Sequence, residues 1–501
     1  MLQQNSYFPS RYFKWLKNSK SSATYLSVLL CVLVLSMQPN KIYIVIVALC
    51  ELIYKILKHR KNLKSSIKKL VYTPRVKRLI ASMVIFSAIL TVLAFLPFVP
   101  QAAAYSATGI LIILSHFPQF LMLVAYFINM PVEKAFSNYF VNDAKRILKE
   151  NKNLLVIGVT GSFGKTSVKF MLNRILSEKY NTLATPESFN TPMGIAKTVR
   201  QSLTPATEIF IAEMGAKNIG DIKELCDITN PSLGIITAVG PQHLETFKSL
   251  DNVANTKFEL ADACFNNNGK VYVNFDSEPA KAKAAALNLE NIISYGIGDS
   301  MATAENIKMT TNGTEFDVCY NQHKFKITCK LLGRHNITNI LGAVAVALDL
   351  GVDEKQIRFA LSSVKAPAHR LELKSFVNGS LLIDDAYNSN PVGCIEAVNV
   401  LGSFEDKKKI IVTPGLVELG DKEYECNYNL GKASAEKCDV IILVGKKRSV
   451  PMKDAICKTD FNKENLYVAD NFADAMNILR EITDENSVVL FENDLPDNYA
   501  G

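Results

Sequence analysis

The stretch "VIGVTGSFGKTSVKF", residues 156–170, constrains the chain more than any other. An apolar run suited to a buried strand is followed by glycines at 158, 161 and 164, and then by a lysine and two hydroxyls that open a helical pattern. Such a strand–turn–helix wraps phosphate oxygens with backbone N–H groups, places a lysine on the outer phosphates and offers a hydroxyl to Mg²⁺. Gly161, Ser162 and Gly164 form the loop, Lys165 is the phosphate lysine, Thr166 is the hydroxyl for the metal, and Ser167 continues the first helical turn. Val159 stands where the commonest form of this loop has glycine.

A loop of this kind needs a parallel sheet covered on both faces, and the surrounding sequence has that grammar. Apolar runs begin at 154, 208, 233, 270 and 292, with helical patterns between most of them. Residues 302–333 alternate short β-prone pieces around "TNGT" and "NQHK", predicting a small antiparallel insert. A helix from about 336 stops at Gly351, and a second, smaller α/β unit begins near 367, with helices starting near 391, 424 and 472. Two α/β domains are expected, at 151–366 and 367–501.

The N-terminal third reads differently. Four apolar stretches begin at 23, 42, 79 and 105, and a span needs roughly 17–25 apolar residues, so residues 1–135 are expected to make about four transmembrane helices. Basic residues flank the first stretch and fill the link at 55–78, which places both termini and the α/β domains on the cytoplasmic face of a bacterial cell membrane. Residues 136–150 read as an amphipathic connector helix. The formal charge of +8 is uneven: residues 1–78 hold 15 Lys and Arg against Glu51 alone, leaving a mildly acidic remainder. That split argues against a nucleic-acid partner. Ten cysteines without a C-x-x-C pair read as free thiols, and six histidines without metal spacing favour an oxygen-bound hard cation over zinc.

Further polar residues fall where strands end. Glu213 in "AEMGA" and His243 in "GPQHLE" belong at the carboxyl edge of the sheet, where α/β proteins bind ligands. Read alone, His243 is a loop residue and Lys257, in "NVANTKFELADA", a solvated surface lysine.

The order of motifs changes that reading. "TGSFGKTS", "AEMGA", "HLETF" with "NVANTKFEL", "GRHNITNILGAVAVA", "HRLE", "DDAYNSNP" and "VELG" together resemble the Mur ligase family over roughly residues 150–501. Those enzymes build the peptide of bacterial cell-wall precursors with ATP, and the chain is most similar to members that add D-alanyl-D-alanine to UDP-N-acetylmuramoyl-tripeptide. The resemblance implies ATP and two Mg²⁺ sites held by Thr166, Glu213, His243 and a carbamylated Lys257, with Lys165, His243, Lys257 and Arg370 in catalysis. It implies nucleotide contacts from Asn336, Asn339, Arg370, Asp385, Tyr387 and Asn388, and a substrate loop at Asn190 and Thr191.

The sequence departs from the family at His369, where a glycine usually precedes the arginine, and at "VTPGLVELG". The N-terminal domain that grips the uridine diphosphate is replaced by the apolar segment. The resemblance implies a muramoyl-peptide acceptor, soluble and UDP-linked or lipid-linked at the bilayer, with D-alanyl-D-alanine or a similar amine as the incoming group. Two alternatives are a ligase extending poly-γ-glutamate or another amino-acid chain, and an ATP-binding membrane scaffold without ligase activity.

Overall fold

A computed structural model of the chain describes residues 72–95 and 118–493, apart from 243, 288–289, 311–312, 366–368, 387–390, 405, 418, 420–421 and 447. The chain divides into two compact units, Met1–Tyr139 and Phe140–Gly501.

In the first unit, helix α1 (Pro74–Phe95) meets the leading part of α2 (Pro118–Glu150). Leu79, Leu123 and Ala125 form their small core, and Asn129 Nδ2 donates to Ser82 Oγ at 2.7 Å. Arg78 donates to Glu133 at 2.7 Å, and Arg75 lies 3.8 Å from the same carboxylate. Among the described residues no helix is long and apolar enough to cross a membrane. That overturns the expected four-helix membrane segment, the multi-pass membrane location and the bilayer as a partner. The helix holding the described part of the third apolar stretch starts earlier, at Pro74, and opens with Arg75, Lys77 and Arg78, two of them paired with a carboxylate. The described part of the fourth, from Pro118, runs unbroken through Pro131 into the charged sequence expected to be a separate connector. The stretches beginning at 23 and 42 lie outside the described residues.

The second unit is α/β throughout. Its larger sheet has nine strands in the order β2-β3-β1-β4-β5-β6-β7-β8-β9. Six are parallel: β1 (Leu155–Thr160), β2 (Thr182–Ala184), β3 (Ile209–Met214), β4 (Leu233–Ile236), β5 (Lys270–Asn274) and β6 (Ile292–Tyr295). The antiparallel strands β7 (Ala302–Thr310), β8 (Gly313–Tyr320) and β9 (His323–Cys329) extend this same sheet, joined to β6 where Tyr295 pairs with Ala302.

One face is covered by α3 (Lys165–Leu176), α9 (Arg334–Asp349) and α10 (Glu354–Ser362). The other carries the end of α2 with α4 (Pro192–Ser202), α5 (Asp221–Thr229), α7 (Leu250–Asn266) and α8 (Glu278–Leu287); the four-residue α6 (Leu244–Phe247) precedes α7. Burial on both faces explains why the central strands are apolar at nearly every position.

The smaller sheet runs β10-β11-β15-β12-β13-β14, with β10 (Glu372–Ser375) antiparallel at the edge of β11 (Leu381–Asp385). The parallel set is completed by β12 (Lys408–Thr413), β13 (Val440–Val444), β14 (Leu466–Ala469) and β15 (Ser487–Glu492). Helices α11 (Pro391–Gly402), α12 (Glu423–Lys437) and α13 (Val450–Ile456) cover one face and α14 (Phe472–Ile482) the other.

The seat of α7 matters for the site, because this helix carries Lys257. Gly158 of β1 and Gly234 of β4 leave room for Leu260: a Cβ on either would fall 2.6 Å or 3.0 Å from its side chain. Leu260 is fully buried in that notch, one turn beyond Lys257. Leu260→Ala is expected to lower stability by about 3 kcal/mol in urea unfolding, because the glycines flanking the void cannot collapse to fill it.

Candidate active site

The phosphate-type loop is braced from two sides. Thr160 Oγ1 donates to the Met214 carbonyl at 2.9 Å, tying the end of β1 to the end of β3. On the other side, Ser162 N–H donates to Ala238 O at 2.7 Å, and Ser162 Oγ lies 3.0 Å from both the N–H and the carbonyl of Gly240. Gly161 has φ +150, and a Cβ there would fall 1.9 Å from Thr237 Oγ1. Gly164 takes the left-handed position before α3, where a Cβ would meet the Asn339 carboxamide at 2.6 Å. Only glycine meets both demands.

No side chain caps α3, so the amides of its first turn and the positive end of its dipole face the loop mouth. Lys165 Nζ folds over the loop and donates to the carbonyls of Gly161 at 2.7 Å and Ser162 at 2.9 Å. Burial lowers its pKa and Glu213 opposes the shift. Uncapped amides beside a lysine fit a phosphate chain.

Beside the loop lies a buried polar cluster centred on Glu213, which is 1% exposed. Its Oε2 accepts from Thr166 Oγ1 and from Lys169 Nζ, each at 3.0 Å, and its Oε1 accepts from Asn190 Nδ2 at 3.1 Å. The Glu213 N–H donates to Thr185 Oγ1 at 3.0 Å. A hydroxyl and a carboxylate side by side at a phosphate site suit Mg²⁺, which takes one or two carboxylates and completes its shell with phosphate and water. Among the described residues no group of three or more His, Cys, Asp or Glu side chains gathers as for a metal cage.

Lys257 is 3% exposed, and no carboxylate among the described residues lies within ion-pair reach of it. Burial, reinforced by the charge of Lys165, brings its pKa down to about 7 against the weaker pull of Asp221 and Glu259. Near neutral pH a substantial share of it is therefore the free amine, unlike a solvated surface lysine.

The other expected residues divide. Asn339 is buried against Gly164, while Asn336 Nδ2 donates to the Leu332 carbonyl at 2.7 Å. Thr191 caps α4, its hydroxyl accepting from Gly194 N–H, and Ser167 is half-buried in the first turn of α3. Arg370 is exposed between two left-handed residues, His369 (φ 58) and Leu371 (φ 47), both tied to the end of β11. His369 Nδ1 lies 2.9 Å from Asp384 Oδ2, and Leu371 N–H donates to Asp385 Oδ1 at 3.0 Å. His369 thus occupies a conformation that suits glycine, at a cost of about 1 kcal/mol offset by its bond to Asp384. Burial raises the pKa of Asp385, opposed first by the Leu371 amide. His243, Tyr387 and Asn388 lie outside the described residues.

Sequence reasoning missed Lys169. One turn beyond Lys165 on a helix, it reads as a solvated lysine, yet its side chain is fully buried. The available signal was its spacing, which puts it on the face of α3 shared by Lys165 and the buried Leu172 and Leu176 rather than among the outward residues.

Comparison with known proteins agrees with this arrangement. The Mur ligase middle domain model matches residues 159–347, and the Mur ligase glutamate ligase domain model matches residues 369–492. The UDP-N-acetylmuramoyl-tripeptide–D-alanyl-D-alanine ligase of Escherichia coli (strain K12) is 32% identical, over 58% of this chain and 65% of the relative, so the chain spans just under two thirds of that protein. The ligase of the same name from Mycobacterium leprae (strain TN) is 30% identical, over 68% of this chain and 71% of the relative. A crystal structure of MurF from Acinetobacter baumannii superimposes with a TM-score of 0.61 at 26% identity, covering 71% of this chain and 77% of that one. With both catalytic domain types in order and a relative matched across most of its length, the chain belongs to the Mur ligase family.

Proposed function

We propose that this chain is an ATP-dependent amide-bond ligase that adds D-alanyl-D-alanine, or a similar amine, to the terminal carboxylate of UDP-N-acetylmuramoyl-tripeptide. The observation that carries the reading is the convergence of an uncapped helix N-terminus, Lys165, the Thr166 hydroxyl and the Glu213 carboxylate at one sheet edge. A nucleotide-sensing scaffold has no need of the buried Lys257, whose pKa is lowered to about 7, beside them.

The reaction follows from those parts. An acceptor carboxylate oxygen attacks the γ-phosphorus of ATP, the bond to the β-phosphate oxygen breaks, and ADP and an acyl phosphate form. The amine nitrogen then attacks the acyl carbon, phosphate leaves and the nitrogen loses a proton. Lys165, swinging from the Gly161 and Ser162 carbonyls, neutralises charge on the transferring group, and the amides of α3 hold the other phosphates. Mg²⁺ held by Thr166 and Glu213 would supply further charge neutralisation. The Lys257 amine, on reaction with CO₂ and loss of a proton, becomes a carbamate: a cation is exchanged for an oxygen ligand suited to a second Mg²⁺. Arg370 reaches the phosphates from the C-terminal domain, and its charge matters most as the phosphoryl group moves.

Incubation of the purified chain with ATP, Mg²⁺, UDP-N-acetylmuramoyl-tripeptide and D-alanyl-D-alanine should release ADP and give the pentapeptide product by mass; ADP release without the amide product would refute the ligase reading. Arg370→Ala should lower kcat by on the order of a hundredfold while ATP binding, followed calorimetrically, moves less than about threefold. Equal losses in both would remove Arg370 from the reacting group. With ¹³C-bicarbonate, a carbamate resonance absent from Lys257→Met should appear above about pH 7 and fade below it, because only the neutral amine reacts and the Lys257 pKa lies at about 7.

A further inference from the structure

A fully buried lysine needs a reason, and Lys169 has two partners that belong to different parts of the site. Its ammonium lies 3.0 Å from Glu213 Oε2, the oxygen that also accepts from Thr166, and it donates to the backbone carbonyl of Glu187. Glu187 is in the left-handed region with φ 41, a strained setting for a non-glycine residue, and its carbonyl is the group that takes the ammonium.

The segment around it, residues 185–190, turns on itself, with Phe189 N–H donating to Pro186 O at 3.0 Å and Asn190 N–H to Ser188 O at 2.8 Å, and is tied to the sheet near its ends. Thr185 N–H donates to Ile211 O at 3.0 Å; Asn190 O accepts from Gly215 N–H at 2.9 Å, and its side chain reaches Glu213. Lys169 ties the middle of this turn to α3 through the Glu187 carbonyl. Beyond it Thr191 caps α4, so the direction in which that helix starts is set by the same loop.

We propose that Lys169 is a positioning residue that couples the cation side of the site to the acceptor loop, one buried charge holding both the Glu213 carboxylate and the Glu187 backbone. This rests on the ligase reading, in which Glu213 faces Mg²⁺ and Asn190 and Thr191 face the acceptor. Two consequences have opposite signs. A monovalent cation on Glu213 opposes a divalent one there, so Lys169 holds cation affinity down. The same ammonium orders the loop, so Lys169 holds acceptor affinity up. A lysine serving only the core would, when replaced, weaken both.

The test uses the full chain with Lys169→Gln, which keeps a donor without charge, and Lys169→Met, which keeps neither. Mn²⁺ binding in the presence of ADP is read from the free-ion electron paramagnetic resonance signal, and binding of UDP-N-acetylmuramoyl-tripeptide to the ADP form is read by calorimetry. Both variants should bind Mn²⁺ at least about threefold more tightly, since a like charge has been removed. Acceptor binding should weaken by on the order of tenfold in Lys169→Met and less in Lys169→Gln, because ordering the loop then falls to binding itself. Unchanged constants, or both weakening together, would overturn the coupling; should Lys169→Met not fold, Lys169→Gln decides through its Mn²⁺ affinity. Neither readout needs turnover, so a wild-type chain that binds but makes no product would refute the ligase reading separately.

Discussion

The register of β1 between β3 and β4 is the constraint on which the site depends. Val159 pairs with Glu213, and Thr160 pairs with Met214 on one side and Ile236 on the other. Because all three strands run the same way, the loop at 161–164, the Glu213 carboxylate and the bracing segment at 237–240 leave the sheet at one edge, although about 75 residues of sequence separate the first from the last. A slip of one residue would turn Glu213 to the opposite face and remove it from Thr166. The apolar cover on both faces therefore does more than stabilise the sheet: it allows one register only.

The same burial gives two lysines different chemistry. Lys169 and Lys257 both lose solvation, and the pKa of both falls. Lys169 has a carboxylate at 3.0 Å and a backbone carbonyl to satisfy it. Lys257 instead feels the like charge of Lys165, which deepens its shift. Desolvation sets the size of the problem in each case, and the neighbour decides whether the answer is an ion pair or a neutral amine. Two lysines thus sit in the same site with opposite electrostatic settings, one paired with a carboxylate and one without, with no difference in side-chain type to announce it.

That difference also marks the boundary of what was legible in the sequence. The loop from Gly161 to Ser167 was readable because its function lies in local backbone geometry, and the apolar strands around it because burial on both faces leaves an unbroken pattern. Strand β2, three residues of mixed character, left no such trace, and the antiparallel strands β7 to β9 showed their alternation but not that they join the main sheet. Lys169 was invisible because helical spacing puts it on the correct face without saying what faces it. The membrane reading failed for a related reason: hydropathy counts residues along one segment and does not see contacts between helices, such as Glu133 of α2 taking up Arg78 and Arg75 of α1.

The substitution at 369 shows how tertiary structure absorbs a departure from a family pattern. Glycine reaches left-handed backbone at no steric cost, and histidine does not, but the carboxylate of Asp384 is close enough to give the imidazole a hydrogen bond in that conformation. Lys374 shares the same carboxylate at 2.8 Å, and the adjacent Asp385 holds the Leu371 amide. Arg370 is therefore fastened on both sides to the end of β11 rather than carried on a free linker. In the proposed mechanism, any closing motion that brings this arginine to the phosphates must move the C-terminal sheet with it, which would tie its approach to the position of a whole domain and not to the rotamer of one side chain.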